Sequence, residues 1–320
     1  MPAGSRNSSC IFDGVERTPW RCVEWALLAA LATVWGGSFF FVKVLVTSLD
    51  WPTVVMLRIA PAALALVVVI YALGYRLPSD WPTWRAFLVM GLLNNVAPFS
   101  FIAWGQLTID SGLAAILNGT TPLFVVLLAH GLTSDERLSA NRVAGVVVGL
   151  LGVVVLIGPG ALAGLGGEAL AQGAILLAAL CYGLSGIYGR RLTTLPVPLA
   201  AIGMLVASTV LVIPLALVLG DPLAMAPTGP IIGAVLGVSL LSTALAYLIY
   251  YRVLKTAGPT NLLLVTFLVP IGALVLGGMF LGERPGWTAY DGLALILCGL
   301  AAVDGRLLQL APKLFRPGPQ

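Results

Sequence analysis

Residues 35–46 read WGGSFFFVKVLV, and residues 182–192 read YGLSGIYGRRL. Each stretch lies inside a long apolar run. Each also carries small residues, a serine and a basic residue, which a segment that only anchors a chain in lipid does not need. A shift of 147 residues superimposes the two stretches, and it aligns Trp35 with Tyr182, Ser38 with Ser185, and Lys43 with Arg190. The sequence therefore contains one element twice.

The same shift aligns other residues that are uncommon in an apolar chain. It places the pair Glu136-Arg137 on Glu283-Arg284, and it brings Pro122 within one residue of Pro270. It also aligns Trp104 with Tyr251, Asn95 with Ser242, Gly145 with Gly292, and Gly152 with Gly299. Because a charged pair and several glycines fall on one diagonal, we predict that the chain arose by internal duplication.

The composition indicates an integral membrane protein. Of the 320 residues, 59% are hydrophobic and 9% are charged, whereas an average soluble domain has about 25% charged residues. A transmembrane helix needs roughly 20 mostly apolar residues, and the alternation that marks the strands of a membrane barrel is missing. We predict ten transmembrane helices, at residues 24–46, 51–73, 84–106, 111–132, 141–158, 169–190, 197–219, 230–252, 258–281 and 287–308.

The predicted organisation is a 5+5 inverted repeat in an all-α integral membrane protein. Because each copy has an odd number of helices, the second copy enters the membrane from the opposite face, as in many secondary transporters. The predicted divisions are a tail at 1–23, a first repeat at 24–158, a second repeat at 168–308 and a tail at 309–320. The connections are too short to contain a soluble domain.

The distribution of basic residues predicts the orientation. Fourteen of the seventeen Lys and Arg residues fall in the two tails and in the connections on one side of the ten-helix arrangement. Lys43 and Arg284 lie on the opposite side, and Arg58 lies within the second helix. Connections rich in Lys and Arg stay in the cytoplasm. We therefore expect a multi-pass protein of the bacterial inner membrane with both termini in the cytoplasm.

Several motifs resemble those of a known family. They are WGGSF in the first helix and a proline-containing helix closed by Glu-Arg, which reads TPLFVVLLAHGLTSDER at residues 121–137 and VPIGALVLGGMFLGERP at residues 269–285. These motifs resemble the EamA-type drug/metabolite transporter superfamily over about residues 24–308, and most of all its bacterial aromatic amino-acid exporter group typified by YddG. The resemblance implies a central cavity lined by helices 1, 3, 4, 6, 8 and 9, with helices 5 and 10 more peripheral.

From this resemblance we expect a secondary transporter that exports small metabolites by alternating access, with amino acids, aromatic and other neutral ones, as substrates. Polar groups near mid-depth would solvate the ammonium and carboxylate groups, and aromatic rings would accept the side chain. Interhelical hydrogen bonding is the alternative role of each polar residue. The candidate substrate-binding residues are Trp35, Ser38, Asn95, Phe101, Trp104, Asn118, Tyr182, Ser185, Ser242, Tyr247 and Tyr251.

Glycine and proline within the spans have alternative roles. Glycines allow neighbouring helices to approach closely, or they act as hinges. A proline removes a backbone donor and frees a carbonyl group, which a neighbouring group must satisfy. Interrupted helices at corresponding positions of two repeats point to a transport site, with a simple kink as the alternative. The candidate hinge or gating residues are Gly36, Gly37, Pro98, Pro122, Gly183 and Pro270.

Two basic residues fall inside predicted spans. Arg58 lies about seven residues into the second helix, so its side chain either extends to the headgroups or has a functional role, for which Asp291 at similar depth is a candidate partner. Lys43 lies near the end of the first helix, where we expect it to anchor the helix at the headgroups. His130, close to the end of the fourth helix, is expected to be interfacial rather than a proton relay.

The sequence argues against several other functions. It has no GxxxxGK[ST] phosphate loop, which excludes ATP hydrolysis by this chain. Its four cysteines have no CxxC spacing, so we expect no metal and no cofactor. The spans have no central carboxylate, which favours facilitated exchange over proton or sodium coupling. The expected partners are a small-molecule substrate and the lipid bilayer, without nucleic acid, and monomer and homodimer both stay open.

Two alternatives remain. A drug or nucleoside exporter of the same fold would share these motifs. Residues 183–186 read GLSG, which resembles the GxSG of rhomboid-type intramembrane serine proteases with Ser185 as nucleophile. Such a protease needs a histidine within hydrogen-bond reach of the serine. The only histidine, His130, precedes the serine, whereas that family places it on a later helix, so we do not expect an enzyme.

Overall fold

The computed structural model describes residues 22–133, 139–158, 167–262 and 265–304, and the regular structure in these ranges is helical. In this part of the chain, eight helices are long and apolar enough to cross a membrane, and two more are shorter apolar helices. The predicted ten-helix, all-α fold is thereby confirmed. The helices are α1 (Cys22–Val46), α2 (Trp51–Ala72), α3 (Trp81–Gly105), α4 (Ser111–Leu132), α5 (Ala140–Ile157), α6 (Gly167–Leu192), α7 (Val197–Leu219), α8 (segments Gly229–Leu236, Gly237–Leu245 and Ala246–Leu262), α9 (Val265–Leu281) and α10 (Trp287–Asp304).

The boundary between α8 and α9 differs from the predicted one. We expected the eighth helix to end at residue 252, but its last segment continues to Leu262, and α9 begins at Val265. Arg252 and Lys255 therefore lie on a helix and not in a connection. Hydropathy marks where a chain leaves the lipid, whereas a helix continues beyond that point when its backbone hydrogen bonds continue.

Two helices begin with the same four residues. Asp50-Trp51-Pro52-Thr53 opens α2, and Asp80-Trp81-Pro82-Thr83 opens α3. In each case the Asp carboxylate accepts a hydrogen bond at 2.9 Å from the backbone N–H of the Thr, and Pro takes an early helical position where its missing N–H costs nothing. The side-chain and backbone hydrogen bonds from Thr83 hold the pKa of Asp80 below its ordinary value.

Two helices contain π-helical turns at positions that the repeat relates. α3 is π-helical at Leu92–Val96 and α8 at Gly237–Leu245, and the shift of 147 residues places the first segment on residues 239–243. Pro98 lies just after the turn in α3, where its ring disfavours a regular hydrogen bond to the carbonyl group four residues earlier. Such π-turns occur often at functional sites.

α4 is interrupted near its middle. Its two segments are Ser111–Asn118 and Thr121–Leu132, so Pro122 lies in the first turn of the second segment, where proline is tolerated. Because Pro122 has no N–H, it cannot donate the helical hydrogen bond to the carbonyl group of Asn118. That carbonyl group instead accepts a hydrogen bond from Thr121 Oγ1 at 2.7 Å. In α9, by contrast, the α-helix Val265–Leu276 runs through Pro270. The two repeats therefore differ at this point.

The glycines that the repeat aligns form close helix contacts. A Cβ atom at Gly145 would lie 2.6 Å from the carbonyl oxygen of Gly299, and a Cβ atom at Gly152 would lie 2.8 Å from that of Gly292. Neither contact leaves room for a larger residue. α5 and α10 therefore pack backbone to backbone in opposite directions, as small residues allow in membranes.

Gly36 and Gly183 take equivalent places in the two halves. A Cβ atom at Gly36 would lie 2.8 Å from the carbonyl oxygen of Val269 in α9, and one at Gly183 would lie 3.0 Å from Leu128 Cδ1 in α4. α1 therefore packs on α9 as α6 packs on α4, which is the arrangement that an inverted repeat requires. This geometry supports the packing role, and α1 is one continuous helix through Gly36 and Gly37.

We call the end of the bundle formed by connections 47–50, 106–110, 220–228 and 282–286 the acidic end, because Asp50, Asp110, Asp221 and Glu283 lie there. Lys43 Nζ donates hydrogen bonds to the carbonyl oxygens of Gln106 and Ile109 at this end, both at 2.9 Å. The prediction that Lys43 anchors its helix at the headgroups was wrong. These carbonyl groups belong to the connection that follows α3, so Lys43 ties the end of α1 to that connection.

Glu283 of the Gly-Glu-Arg motif joins α9 to the start of α4 at the acidic end. Its carboxylate accepts hydrogen bonds from Ser111 N at 2.9 Å, Ser111 Oγ at 2.8 Å and Gly112 N at 3.2 Å. A carboxylate at a helix N-terminus pairs the free N–H groups and complements the helix dipole. Gly282 has a φ of 68°, which glycine adopts without strain. Glu136-Arg137, the equivalent pair, lies outside the described residues.

Candidate substrate-binding site

A network of polar side chains joins four helices around the π-turn of α3. Ser185 Oγ donates to Asn94 Oδ1 at 2.9 Å, and Asn95 Nδ2 donates to Ser208 Oγ at 2.9 Å. The hydroxyl group of Tyr247 lies between the two asparagines, 3.4 Å from Asn94 Nδ2 and 3.5 Å from Asn95 Oδ1. The π-turn presents two adjacent asparagines to α6, α7 and α8, so this network is the polar centre of the described bundle.

Arg58 of α2 lies beside this network. Its side chain is 8% exposed, and its Cζ atom lies 3.6 Å from the centre of the Phe99 ring. Phe99 is one helical turn after Asn95, and residues four apart share a helix face. Tyr182 and Tyr247 are the titratable groups near Arg58. The guanidinium group therefore borders the same region as the polar network.

Two of the expectations for Arg58, its extension to the headgroups and its pairing with Asp291, are wrong, whereas a functional role stays a prediction. The side chain does not extend to the headgroups, because it is buried against Phe99. Asp291 is exposed, and the titratable side chains near Arg58 are the phenols of Tyr182 and Tyr247. In the described ranges no carboxylate pairs with this arginine, and its Nε atom has no hydrogen-bond partner.

Four of the predicted substrate-binding residues come together at this site. Asn95 and Tyr247 belong to the network. Ser185 is buried, and its single hydroxyl proton has two acceptors within reach, Asn94 Oδ1 and the carbonyl oxygen of Tyr182. Tyr182 packs against both of the main hydrophobic clusters of the bundle, so it lies where the two meet.

Other predicted residues lie apart from the network. Ser242, the repeat equivalent of Asn95, donates to the carbonyl oxygen of Val34 at 2.7 Å and so joins α8 to α1. The Trp35 ring centre lies 6.0 Å from that of Tyr250, Phe101 packs against the hydrophobic cluster, and Trp104 is 40% exposed.

The remaining candidates have these locations. Ser38 is buried in α1, and Asn118 ends the first segment of α4 with a buried Oδ1 atom that has no hydrogen-bond partner. The side chain of Tyr251 lies outside the described residues. Of the candidate hinges, Pro98 follows the π-turn and Pro122 follows the break in α4.

Sequence reasoning missed the contributions of Phe99 and Ser208 and left the place of Arg58 open. Ser208 is fully buried and also donates to the carbonyl oxygen of Met204 at 2.7 Å. A serine in an apolar helix gives little signal, because it is often bonded to its own backbone. Arg58 carried a usable signal, since a charge within a span marks a functional site by default.

The serine protease alternative has no support in this geometry. Ser185 Oγ bonds to Asn94 and to the backbone of Tyr182, and neither group is a general base of the kind that activates a serine. His130 is exposed on α4 and is not among the partners of Ser185. No three His, Cys, Asp or Glu side chains gather within the described ranges to form a metal site.

Ten apolar helices, two halves with equivalent packing, and a buried polar network beside broken helices define a class of protein, the multi-pass membrane transporter with inverted repeats. The chain belongs to the EamA-like transporter family, whose model matches residues 23–158 and again residues 170–303. The match to two parts of the chain agrees with the duplication.

Similar proteins extend over nearly the whole chain. An uncharacterized transporter of Archaeoglobus fulgidus is 26% identical over 88% of this chain and 98% of its own length. The uncharacterized inner membrane transporter YedA of Escherichia coli K12 is 27% identical over 91% of this chain and 94% of its own. A probable terminal-alkyne amino-acid exporter of Streptantibioticus cattleyicolor is 28% identical over 92% of this chain and 97% of its own.

A solved crystal structure shares the fold. It aligns with a TM-score of 0.63 over 93% of this chain and 100% of its own, at 20% sequence identity. The relatives are named as transporters, which indicates that this multi-pass membrane protein is a transporter and not an enzyme.

Proposed function

We propose that this protein exports neutral amino acids, aromatic ones included, by alternating access through the centre of the bundle. The polar network of Asn94, Asn95, Ser185, Ser208 and Tyr247 is the observation that carries the proposal. It offers amide and hydroxyl groups to a polar substrate, and the rings of Tyr182 and Tyr247 line the same region. Small-molecule sites typically combine a few convergent polar groups with aromatic walls.

The packing of the halves supports the transport mechanism. α1 packs on α9 as α6 packs on α4, so either half can adopt the conformation of the other. In such repeats the site stays in place near the midplane while the two ends open in turn. The hydrogen bonds of Lys43 and Glu283 tie α1 and α9 to neighbouring elements at the acidic end. No residue of the network carries a carboxylate, which favours facilitated exchange over ion coupling.

The substrate class has support from one relative, the probable terminal-alkyne amino-acid exporter. A drug or nucleoside exporter of the same fold is the second candidate. A nucleoside would need the same amide groups but has no charged group for Arg58, and this disfavours it. The proposed partners are the amino acid and the lipid bilayer, without nucleic acid.

Purified protein in liposomes tests this proposal. The vesicles are preloaded with each of the twenty radiolabelled amino acids in turn. Release is compared with that from preloaded liposomes that contain no protein. We expect release of several neutral amino acids, with phenylalanine or tryptophan among them. Release of nucleosides alone would favour the second candidate, and no flux of any amino acid would contradict the proposal.

We also propose that the protein lies in the inner membrane with both termini in the cytoplasm. The count of basic residues supports this orientation, because Arg76, Arg190 and Arg191 all lie at the end opposite the acidic end. A reporter that is active only in the periplasm, fused after Gln320, should be silent. Activity of that fusion would contradict the orientation.

A further inference from the structure

The guanidinium group of Arg58 is buried without an anionic partner. The side chain is 8% exposed, and its Nε atom has no hydrogen-bond partner. No carboxylate of residues 22–133, 139–158, 167–262 or 265–304 interacts with it. Its contact with the face of Phe99 at 3.6 Å holds the group in place and uses none of its N–H donors.

Such a group is expensive to keep in a membrane protein. Burial of one charge is costly, and a cation–π contact compensates for only part of that cost. Lys43 shows that the same fold can pair a half-buried cation when the role is structural, since its Nζ atom donates to two carbonyl oxygens at 2.9 Å. An intramembrane ion without such partners indicates a ligand site.

The surroundings of Arg58 fit one end of an amino acid. The planar fork of a guanidinium group matches a carboxylate with two parallel hydrogen bonds. Phe99 orients that fork from one face, and Tyr182 and Tyr247 lie within its electrostatic range. Asn95, one turn before Phe99, offers an amide oxygen to the ammonium group. The site therefore presents a cation for an anion and neutral acceptors for a cation.

We infer that Arg58 binds the carboxylate group of the transported substrate, so that the protein selects substrates that carry a carboxylate. This inference rests on the proposed function and adds to it a helix, α2, which the family resemblance does not place around the cavity. It predicts that a compound with the same side chain but without a carboxylate is rejected.

The experiment compares four ligands in proteoliposomes of pure phosphatidylcholine, where no anionic headgroup competes. Phenylalanine is the reference, and phenethylamine, phenylalaninol and phenylacetate are the competitors. We expect phenethylamine and phenylalaninol to compete at least about 30-fold less well than unlabelled phenylalanine, because truncation of a buried charged pair costs upwards of about 2 kcal/mol. Arg58→Gln should lose phenylalanine transport by a similar factor, and Arg58→Lys should recover part of it.

Lys43→Gln is the matched control, because it removes a half-buried cation at the same end of the bundle without touching the network. It should lower thermal stability but keep the preference for carboxylates. Equal competition by phenylalanine and phenethylamine would overturn the inference, as would an Arg58→Gln variant with wild-type preference. Addition of phosphatidylglycerol should leave the preference unchanged, and loss of the preference would assign Arg58 to a lipid phosphate instead.

Failure of the proposed function is distinguishable from failure of this inference. Thermal unfolding in detergent, with and without phenylacetate, measures binding without transport. Phenylacetate should stabilise wild-type protein and Lys43→Gln but not Arg58→Gln, whatever the amino-acid fluxes. Absence of stabilisation in all three would overturn the inference alone.

Discussion

Lys43 and Arg58 are two cations inside helices near the same end of the bundle, the first half-buried and the second buried, and their surroundings are opposite. The Lys43 ammonium group donates to two backbone carbonyl oxygens at 2.9 Å. The Arg58 guanidinium group lies on the Phe99 ring, and its Nε atom has no acceptor. The difference teaches that the partners of a cation within a span separate a structural residue from a candidate for binding.

Replacement of Lys43 by methionine gives the largest expected stability change. The carbonyl groups of Gln106 and Ile109 would lose their donor, and charged hydrogen bonds contribute about 1.5–3 kcal/mol each. We expect a loss of about 3–6 kcal/mol, seen as a lower unfolding temperature in detergent. An unchanged unfolding temperature would show that Lys43 is not structural, and the comparison with Arg58 would fail.

Replacement of Glu283 by glutamine tests the anionic counterpart of Lys43. The carboxylate accepts from the first N–H groups of α4, and loss of such a cap costs about 1 kcal/mol, up to about 2. Glu168→Gln is the control, because Glu168 lies on the exposed first turn of α6. We expect only Glu283→Gln to lower the unfolding temperature, and equal effects would count against the cap.

Replacement of Arg58 by methionine should act in the opposite direction. Methionine fills a similar volume and removes an uncompensated buried charge, and well-packed apolar replacements of buried ions are often neutral or stabilising, by about 1 kcal/mol or more. The unfolding temperature should therefore stay or rise while transport is lost. A strong fall in unfolding temperature would show that Arg58, like Lys43, is paired for structure.

The Ser242→Ala substitution should have the smallest effect. Ser242 donates one hydrogen bond to Val34, and interhelical hydrogen bonds in membranes average about 0.6 kcal/mol. We expect a small fall in the unfolding temperature and unchanged substrate preference. Asn95→Ala, at the equivalent position in the first half, should instead weaken transport. A larger transport defect in Ser242→Ala than in Asn95→Ala would show that Ser242, and not Asn95, belongs to the substrate-binding site.

Much of the fold could be predicted because it depends on periodic or repeated features. Apolar runs gave the ten helices, and the glycines aligned by the repeat turned out to be the contact between α5 and α10. The end of α8 could not be predicted, because hydropathy indicates only where the chain leaves the lipid. The helix continues beyond that point to Leu262.

The candidate site was only partly predictable for a similar reason. Asn95, Tyr182, Ser185 and Tyr247 stood out because they are polar or aromatic in an apolar setting, and the structure brings them together. Whether Lys43 or Arg58 has hydrogen-bond acceptors depends on contacts with α3 and with the connection that follows it. These contacts join residues far apart in the sequence, so no local pattern predicts them. Ser242 shows the same limit, since symmetry made it equivalent to Asn95, but its hydrogen bond goes to α1.

The central claim is that the substrate carboxylate binds Arg58, and a double cycle measures it directly. Affinities for phenylalanine and phenylalaninol are determined for wild-type protein and Arg58→Gln by titration in detergent. We predict that loss of the carboxylate weakens binding to wild-type protein by about 30-fold, as expected for a buried charged pair, and hardly changes binding to Arg58→Gln. Equal weakening in both proteins would contradict the claim.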